Sequence, residues 1–108
     1  MAVVAKRFDI WLIPLDPSVG SELQKTRPCI IVSPEEANRH LKTVVVVPMT
    51  SATHRFTSRV DIEFDGRLGQ AATDQVRAID KQRLLSHLGQ LDRAVGVQVL
   101  NGLREFFS

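Results

Sequence analysis

The sequence predicts a mainly β domain with peripheral helices: a small, curled antiparallel barrel with one long helix at its C-terminal end. Three observations predict it. Short apolar runs recur along the chain, separated by turn residues. One run, Arg59-Val60-Asp61-Ile62-Glu63-Phe64, alternates strictly, the mark of a half-buried antiparallel strand. The one long helical stripe, Val95, Val99, Leu103 and Phe106, comes last and needs a sheet to pack on. A chain of 108 residues suits one domain, residues 1–108, with one modest core.

The elements follow in order. Phe8 to Leu15 reads as a first strand, with Phe8, Ile10 and Leu12 on one face and Trp11 and Ile13 on the other, so both faces are expected to be covered. Pro14 places the end of that strand at a sheet edge or bulge. Asp16-Pro17-Ser18-Val19-Gly20 is turn chemistry, followed by a polar loop to Thr26. Pro28 to Val32 is a short buried strand. Ser33-Pro34-Glu35-Glu36 then spells a helix start, with Ser33 as cap and Glu36 completing a capping box, and the helix ends near Leu41.

Thr43 to Met49, with four consecutive valines, is expected to be a strand buried on both sides. Thr50 to Thr57 is a polar loop. Asp65-Gly66 ends the alternating strand in a hairpin turn, and Gly69 to Ile79 returns as another strand. Asp80 caps a single helical turn. Leu84 to Leu91 is extended and interrupted by Gly89. Asp92 caps the final helix, in which Gly96 and Gly102 each cost about 1 kcal/mol relative to Ala.

Composition narrows the function. At 44% hydrophobic and 24% charged, the balance is that of a folded domain rather than a disordered chain. No apolar run approaches the roughly 20 residues that span a bilayer. The opening MAVVAKRFD puts its charges after its apolar residues and does not read as a secretory signal. The single cysteine, Cys29, excludes an intrachain disulfide and fits a reducing cytoplasm. One cysteine and three scattered histidines speak against a structural zinc site, and no metal or cofactor is expected. The net charge of +2 is too small to argue for nucleic acid alone. Ten of the fourteen basic residues are arginine, however, whose planar fork of donors matches phosphate oxygens.

The ordered motifs DIWLIPLDP, KTRPCIIVSP, VVVVPMTS, ATDQVRAID and GQLD carry a resemblance. From Phe8 to Phe107 the chain resembles the MazF/PemK/Kid family of toxin endoribonucleases from bacterial toxin–antitoxin modules. That resemblance implies an SH3-like barrel, usually a homodimer. It implies sequence-selective, metal-independent cleavage of single-stranded RNA, often mRNA, and a cognate antitoxin. In the family, the arginine before the proline and the threonine after the valine-rich strand are central to the site. They match Arg27 and Thr50. The aspartate of the ADQ-like segment matches Asp74, and the glutamate in the loop before the arginine matches Glu22. Two departures stand out. Ser21 occupies the place where some members carry a histidine. Ala72 stands where the Kid-like subgroup has an arginine two residues before the aspartate.

Metal-free RNA cleavage needs a base for the 2′-hydroxyl, an acid for the leaving 5′-oxygen, and positive charge on the phosphorane-like transition state. Arg27 suits the last role, because it stays charged and can fork onto two phosphate oxygens. Thr50 suits a positioning donor, set against the plainer reading of a strand-end hydroxyl in a local turn. Glu22 and Asp74 are the carboxylates available as base. The alternatives are that Asp74 is a hydrogen-bond hub between loops, that Glu22 is a solvated loop residue, or that one of them orients Arg27. Lys25, Ser51, His54, Arg55, Gln75 and Arg77 are assigned to RNA contact. His40, His54 and His87 fall in no matched motif, a solvated loop residue being the plainer reading of His54, and Cys29 and Trp11 read as packing.

A competing function from another class is a non-enzymatic toxin of the gyrase-inhibiting CcdB type, which wedges a protein partner and needs no phosphate clamp. A barrel that only binds RNA or antitoxin is a third. A basic groove with apolar rims suits an acidic, initially disordered antitoxin segment that folds on binding.

Overall fold

The computed structural model describes residues 4–108. Seven strands make one curled sheet: β1 (Asp9–Pro14), β2 (Thr26–Ile31), β3 (Thr43–Thr50), β4 (Val60–Phe64), β5 (Arg67–Ala71), β6 (Arg77–Asp80) and β7 (Ser86–Gln90). Two helices lie outside it, α1 (Glu35–His40) and α2 (Arg93–Phe106). The order is β4-β5-β3-β2-β1-β7, and every pairing is antiparallel.

The organising strand is β3. Along one edge it pairs β2, with Cys29 opposite Pro48 and Ile31 opposite Val46. Along the other it pairs two strands in succession: β6 with its first half, Thr43 opposite Asp80, and β5 with its last two residues, Thr50 opposite Gln70. The β4–β5 hairpin turns at Asp65-Gly66, both in the left-handed region (φ 54° and 74°). That is what a two-residue hairpin turn of the primed kind requires, and why Asp-Gly forms it.

Because the sheet curls, both its faces are buried. Ile13, Cys29, Ile31, Val44, Val46 and Ile79 fill one cluster. Ile10, Ile30, Val47, Ile62 and Val99 fill the other, which α2 covers. The two-faced first strand expected from the sequence is therefore present, with Ile13 and Ile10 buried on opposite sides.

The structure corrects several local expectations. Gly69 to Ile79 is not one strand: a 3-10 turn at Thr73–Gln75 separates β5 from β6, so that each reaches a different stretch of β3. The four valines are not all buried, since Val45 is exposed while Val44, Val46 and Val47 are sealed. Ser33 does not cap α1. It is buried, and its hydroxyl accepts from the Val45 N–H (3.0 Å) and donates to the Asn38 side chain, so the strand takes the group the helix would have used. Asp92 sits at the N-cap of α2 without a side-chain bond to the helix. Phe106, placed on the apolar stripe, is exposed and packs edge-on against Phe107 instead. Asp80 does cap the 3-10 turn Lys81–Arg83, accepting from the Gln82 N–H at 2.8 Å.

The glycines of α2 have a reason that propensity hides. A Cβ on Gly96 would lie 2.7 Å from the Phe8 ring, and one on Gly102 would lie 2.4 Å from the Ser58 carbonyl oxygen. The helix docks through its two smallest residues, onto β1's entrance and onto the segment leading into β4.

Candidate active site

Arg27 enters the site through strand pairing. It is the second residue of β2, and β2 runs beside β3, whose last residue is Thr50. The β4–β5 hairpin curls up on the far side. The result is an open groove of about 380 Å³ lined by Lys25, Thr26, Arg27, Pro28, Met49, Thr50, Ser51, Ile62, Phe64, Arg67, Leu68 and Gly69. Three of these residues are cationic and none is acidic. The floor and rims are apolar, from Met49, Ile62, Phe64 and Leu68.

Three of the polar members, Lys25, Arg27 and Thr50, are held by local structure. The Arg27 Nε–H donates to the Gln24 carbonyl at 2.9 Å, which fixes the guanidinium. Its terminal nitrogens make no hydrogen bond and no ion pair among the described residues. Lys25 has a left-handed backbone (φ 70°). Its N–H donates to Asp16 Oδ2 at 3.1 Å and its carbonyl accepts from the Leu15 N–H at 2.9 Å, so the entrance to β2 is pinned to the exit of β1. Thr50 is buried, and its Oγ1 accepts from the Ala52 N–H at 3.1 Å. The local turn bond therefore forms, and the hydroxyl proton remains available to a ligand. A Cβ on Gly69 would stand 2.6 Å from the Thr50 carbonyl oxygen, so only glycine lets β5 approach here.

The carboxylates lie elsewhere. Glu22, Asp74, Gln75 and Arg77 line a second cavity, of about 410 Å³, between the β1–β2 loop and the Thr73–Gln75 turn. Glu22 accepts from the Val19 N–H at 2.6 Å and closes a turn within its own loop. Gln75 Oε1 accepts from the Leu23 N–H at 3.4 Å, and the Arg77 guanidinium donates to the Leu15 carbonyl at 3.2 Å. These side chains brace the β1–β2 loop. Asp74 is gripped by Arg59 through two bonds, Nε to Oδ1 at 2.8 Å and Nη2 to Oδ2 at 3.1 Å. Partial burial pushes the Asp74 carboxyl up, but the hydrogen bonds and charge of Arg59 outweigh it and hold the pKa below the ordinary carboxylate value. A carboxylate so held is a weak base.

The structure thus divides the residues singled out from the sequence. Lys25, Arg27, Thr50 and Ser51 share one groove; Glu22, Asp74, Gln75 and Arg77 share the other. His54 and Arg55 are exposed on the loop after Thr50 and line neither. Cys29 is sealed in the sheet. Burial pushes its thiol up to about 12, against the opposing pull of Arg27 and Arg77, so it is inert packing as expected. Sequence reasoning missed Phe64 and Arg67, which the hairpin register sets opposite each other and which both line the Arg27 groove. It also missed Arg59. The alternation that identified β4 was the available signal for the hairpin. Nothing local marked Arg59.

The Asp74–Arg59 pair has a measurable consequence. A depressed carboxylate pKa means that the pair stabilises the fold above the unfolded-state value, near 3.8, and that this contribution is lost as pH falls through the folded-state value. Asp74→Asn is expected to lower stability by about 1–3 kcal/mol at neutral pH, since the Arg59 side chain is only 5% exposed and loses its partner charge. Thermal melts taken from pH 7 down to pH 3 should show the variant and the parent converging at the acid end.

Comparison with known proteins agrees with this architecture. Residues 6–107 match the family described as "PemK-like, MazF-like toxin of type II toxin-antitoxin system". The chain is 38% identical over 104 residues to Endoribonuclease PemK of Escherichia coli, covering 91% of this chain and 78% of that protein. It is 30% identical over 96 residues to Endoribonuclease EndoA of Bacillus subtilis, covering 83% of each. Among solved structures, MazF from Deinococcus radiodurans superposes with a TM-score of 0.84 at 21% identity, covering 98% of both chains. A mycobacterial endoribonuclease in complex with its cognate antitoxin superposes at 0.81, with 21% identity and coverage of 95% and 94%. The same barrel and final helix recur at low identity because strand pairing and two-faced burial, rather than particular side chains, define them. With a match over nearly its whole length, the chain belongs to the PemK-like, MazF-like toxins of type II toxin–antitoxin systems.

Proposed function

We propose that the Arg27 groove is where this toxin, an endoribonuclease like its named relatives, cuts single-stranded RNA, sequence-selectively and without a metal ion. One observation carries the assignment. A guanidinium is fixed at its Nε and presents its terminal nitrogens, unengaged by protein, to a groove with two further cations and no carboxylate. Such a groove attracts a phosphodiester backbone, and its apolar rims suit unstacked bases.

In this reading the 2′-oxygen attacks the neighbouring phosphorus and the 5′-oxygen leaves, giving a 2′,3′-cyclic phosphate and a 5′-hydroxyl. The Arg27 fork neutralises the charge that builds on the non-bridging oxygens, where a fixed donor is worth most. Thr50 donates its hydroxyl proton to the same phosphate. Asp74 and Glu22 act as braces rather than as the base, and water carries the proton from the 2′-oxygen to the 5′-oxygen. The antitoxin of the module inhibits by laying an acidic segment across the same cations. The working toxin is a homodimer in the cytoplasm. No helix among the described residues is long and apolar enough to cross a membrane.

The experiment is cleavage of a long single-stranded RNA in excess EDTA, with both ends mapped. Discrete cuts bearing cyclic-phosphate or 3′-phosphate ends are expected. Cleavage that needs an added divalent ion, or yields 5′-phosphate ends, would refute the mechanism.

A further inference from the structure

The loop joining β3 to β4 holds a feature that the fold does not need. Phe56 is 43% exposed on a loop whose other members, Ser51 to Thr57, are small, polar or basic. Its ring stacks on the exposed imidazole of His54, with centroids 5.8 Å apart and planes 24° apart. Neither residue belongs to either apolar cluster of the core. An aromatic pair of this kind contributes little to folding and keeps apolar surface in water.

The pair is nevertheless held from two directions. The Arg59 guanidinium lies 5.3 Å from the centre of the Phe56 ring, donates to the Ala52 carbonyl at 3.2 Å, and is locked by its two bonds to Asp74. On the other side Gln70, itself buried, clasps the backbone of His54. It accepts from the His54 N–H at 2.9 Å and donates to its carbonyl at 3.0 Å. Gln70 is steadied in turn by Asp61 at 3.0 Å. Exposed aromatic surface on an ordered mount is what a ligand needs if it is to bind without first ordering the loop.

We propose that Phe56 and His54 form a nucleobase-stacking subsite on the loop that leaves the Arg27 groove at Ser51, with Arg59 as its positioning residue. The inference rests on the RNA-cleaving reading of that groove and adds a determinant of which sequence is cut. The ligand that fits is one base of a single-stranded RNA. It offers a flat π-face to the aromatic pair, while its backbone is drawn by Arg55 on the same loop and by the cations of the groove. Ser51, the first residue of the loop, lines the groove, and the pair lies three to five residues further along, so the stacked base belongs to a nucleotide flanking the cleaved one rather than to the cleaved nucleotide itself. Asp74 then matters to RNA through Arg59 and Phe56 rather than through proton transfer.

The test is steady-state cleavage of a short single-stranded RNA containing the preferred site, and of a series in which each base in turn is made abasic. Phe56→Ala is expected to raise KM about tenfold, the size of one lost base stack, while kcat moves far less. In the parent enzyme, removing one particular base should cost a similar factor, and the same removal should cost Phe56→Ala nothing further. Phe56→Trp should keep the parent's KM. A Phe56→Ala enzyme with the parent's KM and the parent's abasic profile would overturn the subsite, as would a loss confined to kcat. So would a loss of antitoxin affinity with RNA kinetics unchanged, which would give the aromatic pair to the protein partner. Failure of the parent to cut any single-stranded RNA would instead remove the proposed function itself.

Discussion

Arg27→Ala is expected to reduce RNA cleavage by about 10²–10³ while leaving the protein folded. The magnitude is that of removing one preorganised donor aimed at developing oxyanion charge, roughly 3–4 kcal/mol of transition-state stabilisation. The side chain makes one protein hydrogen bond, to the Gln24 carbonyl, and no ion pair among the described residues. Stability should therefore shift by no more than about 0.5–1 kcal/mol. Arg27→Lys is expected to recover only part of the rate, because an ammonium is a point charge and cannot fork onto two oxygens. Growth inhibition on expression separates the classes of toxin. If Arg27→Ala still arrested growth as the parent does, the poison would act by wedging a protein such as gyrase, and the groove would have another use.

Gly102→Ala is expected to destabilise the protein by about 2 kcal/mol, opposite in sign to what helix propensity alone dictates. Replacing a mid-helix glycine by alanine should gain about 1 kcal/mol. Here the new methyl would meet the Ser58 carbonyl oxygen at 2.4 Å, with Val60 and Thr73 side chains close behind. Backbone cannot step aside as a flexible side chain can, so the helix must lift. That carbonyl also accepts from the Thr73 hydroxyl at 2.9 Å, which ties the segment entering β4 to the turn that carries Asp74. Urea unfolding should show a lower midpoint with an unchanged slope. An equal or higher midpoint would mean that the helix does not dock as closely as described. Because α2 supports the mount of Phe56 through this junction, the variant is also expected to lose cleavage selectivity before it loses cleavage.

The two α2 glycines show where local reasoning stops. Propensity counts both as weak points, and it is right about an isolated helix. It cannot register that Phe8 and Ser58, far away in the chain, lie against them. The capping box at Ser33 fails for a similar reason. The pattern is correct, but a strand N–H ten residues after the helix start competes for the hydroxyl and wins by burial.

What the sequence by itself determined is the set of elements and the principal motif. Most of the strands, the Asp65-Gly66 hairpin and the final helix were legible, because periodicity and turn chemistry are properties of neighbouring residues, whereas Arg27 and Thr50 were singled out together through the motifs' resemblance to a known family. Only the tertiary structure decided which charges meet. Asp74 was legible as a carboxylate, but its partner is Arg59, fifteen residues back, and not Arg27. Arg67 and Phe64 reach the Arg27 groove because a hairpin curls over the end of β3. The break at Thr73–Gln75, which sends β5 and β6 to different stretches of one strand, sets both outcomes. Such pairings depend on the curl of the whole sheet, and the curl is set by long-range burial on both faces rather than by any window of sequence.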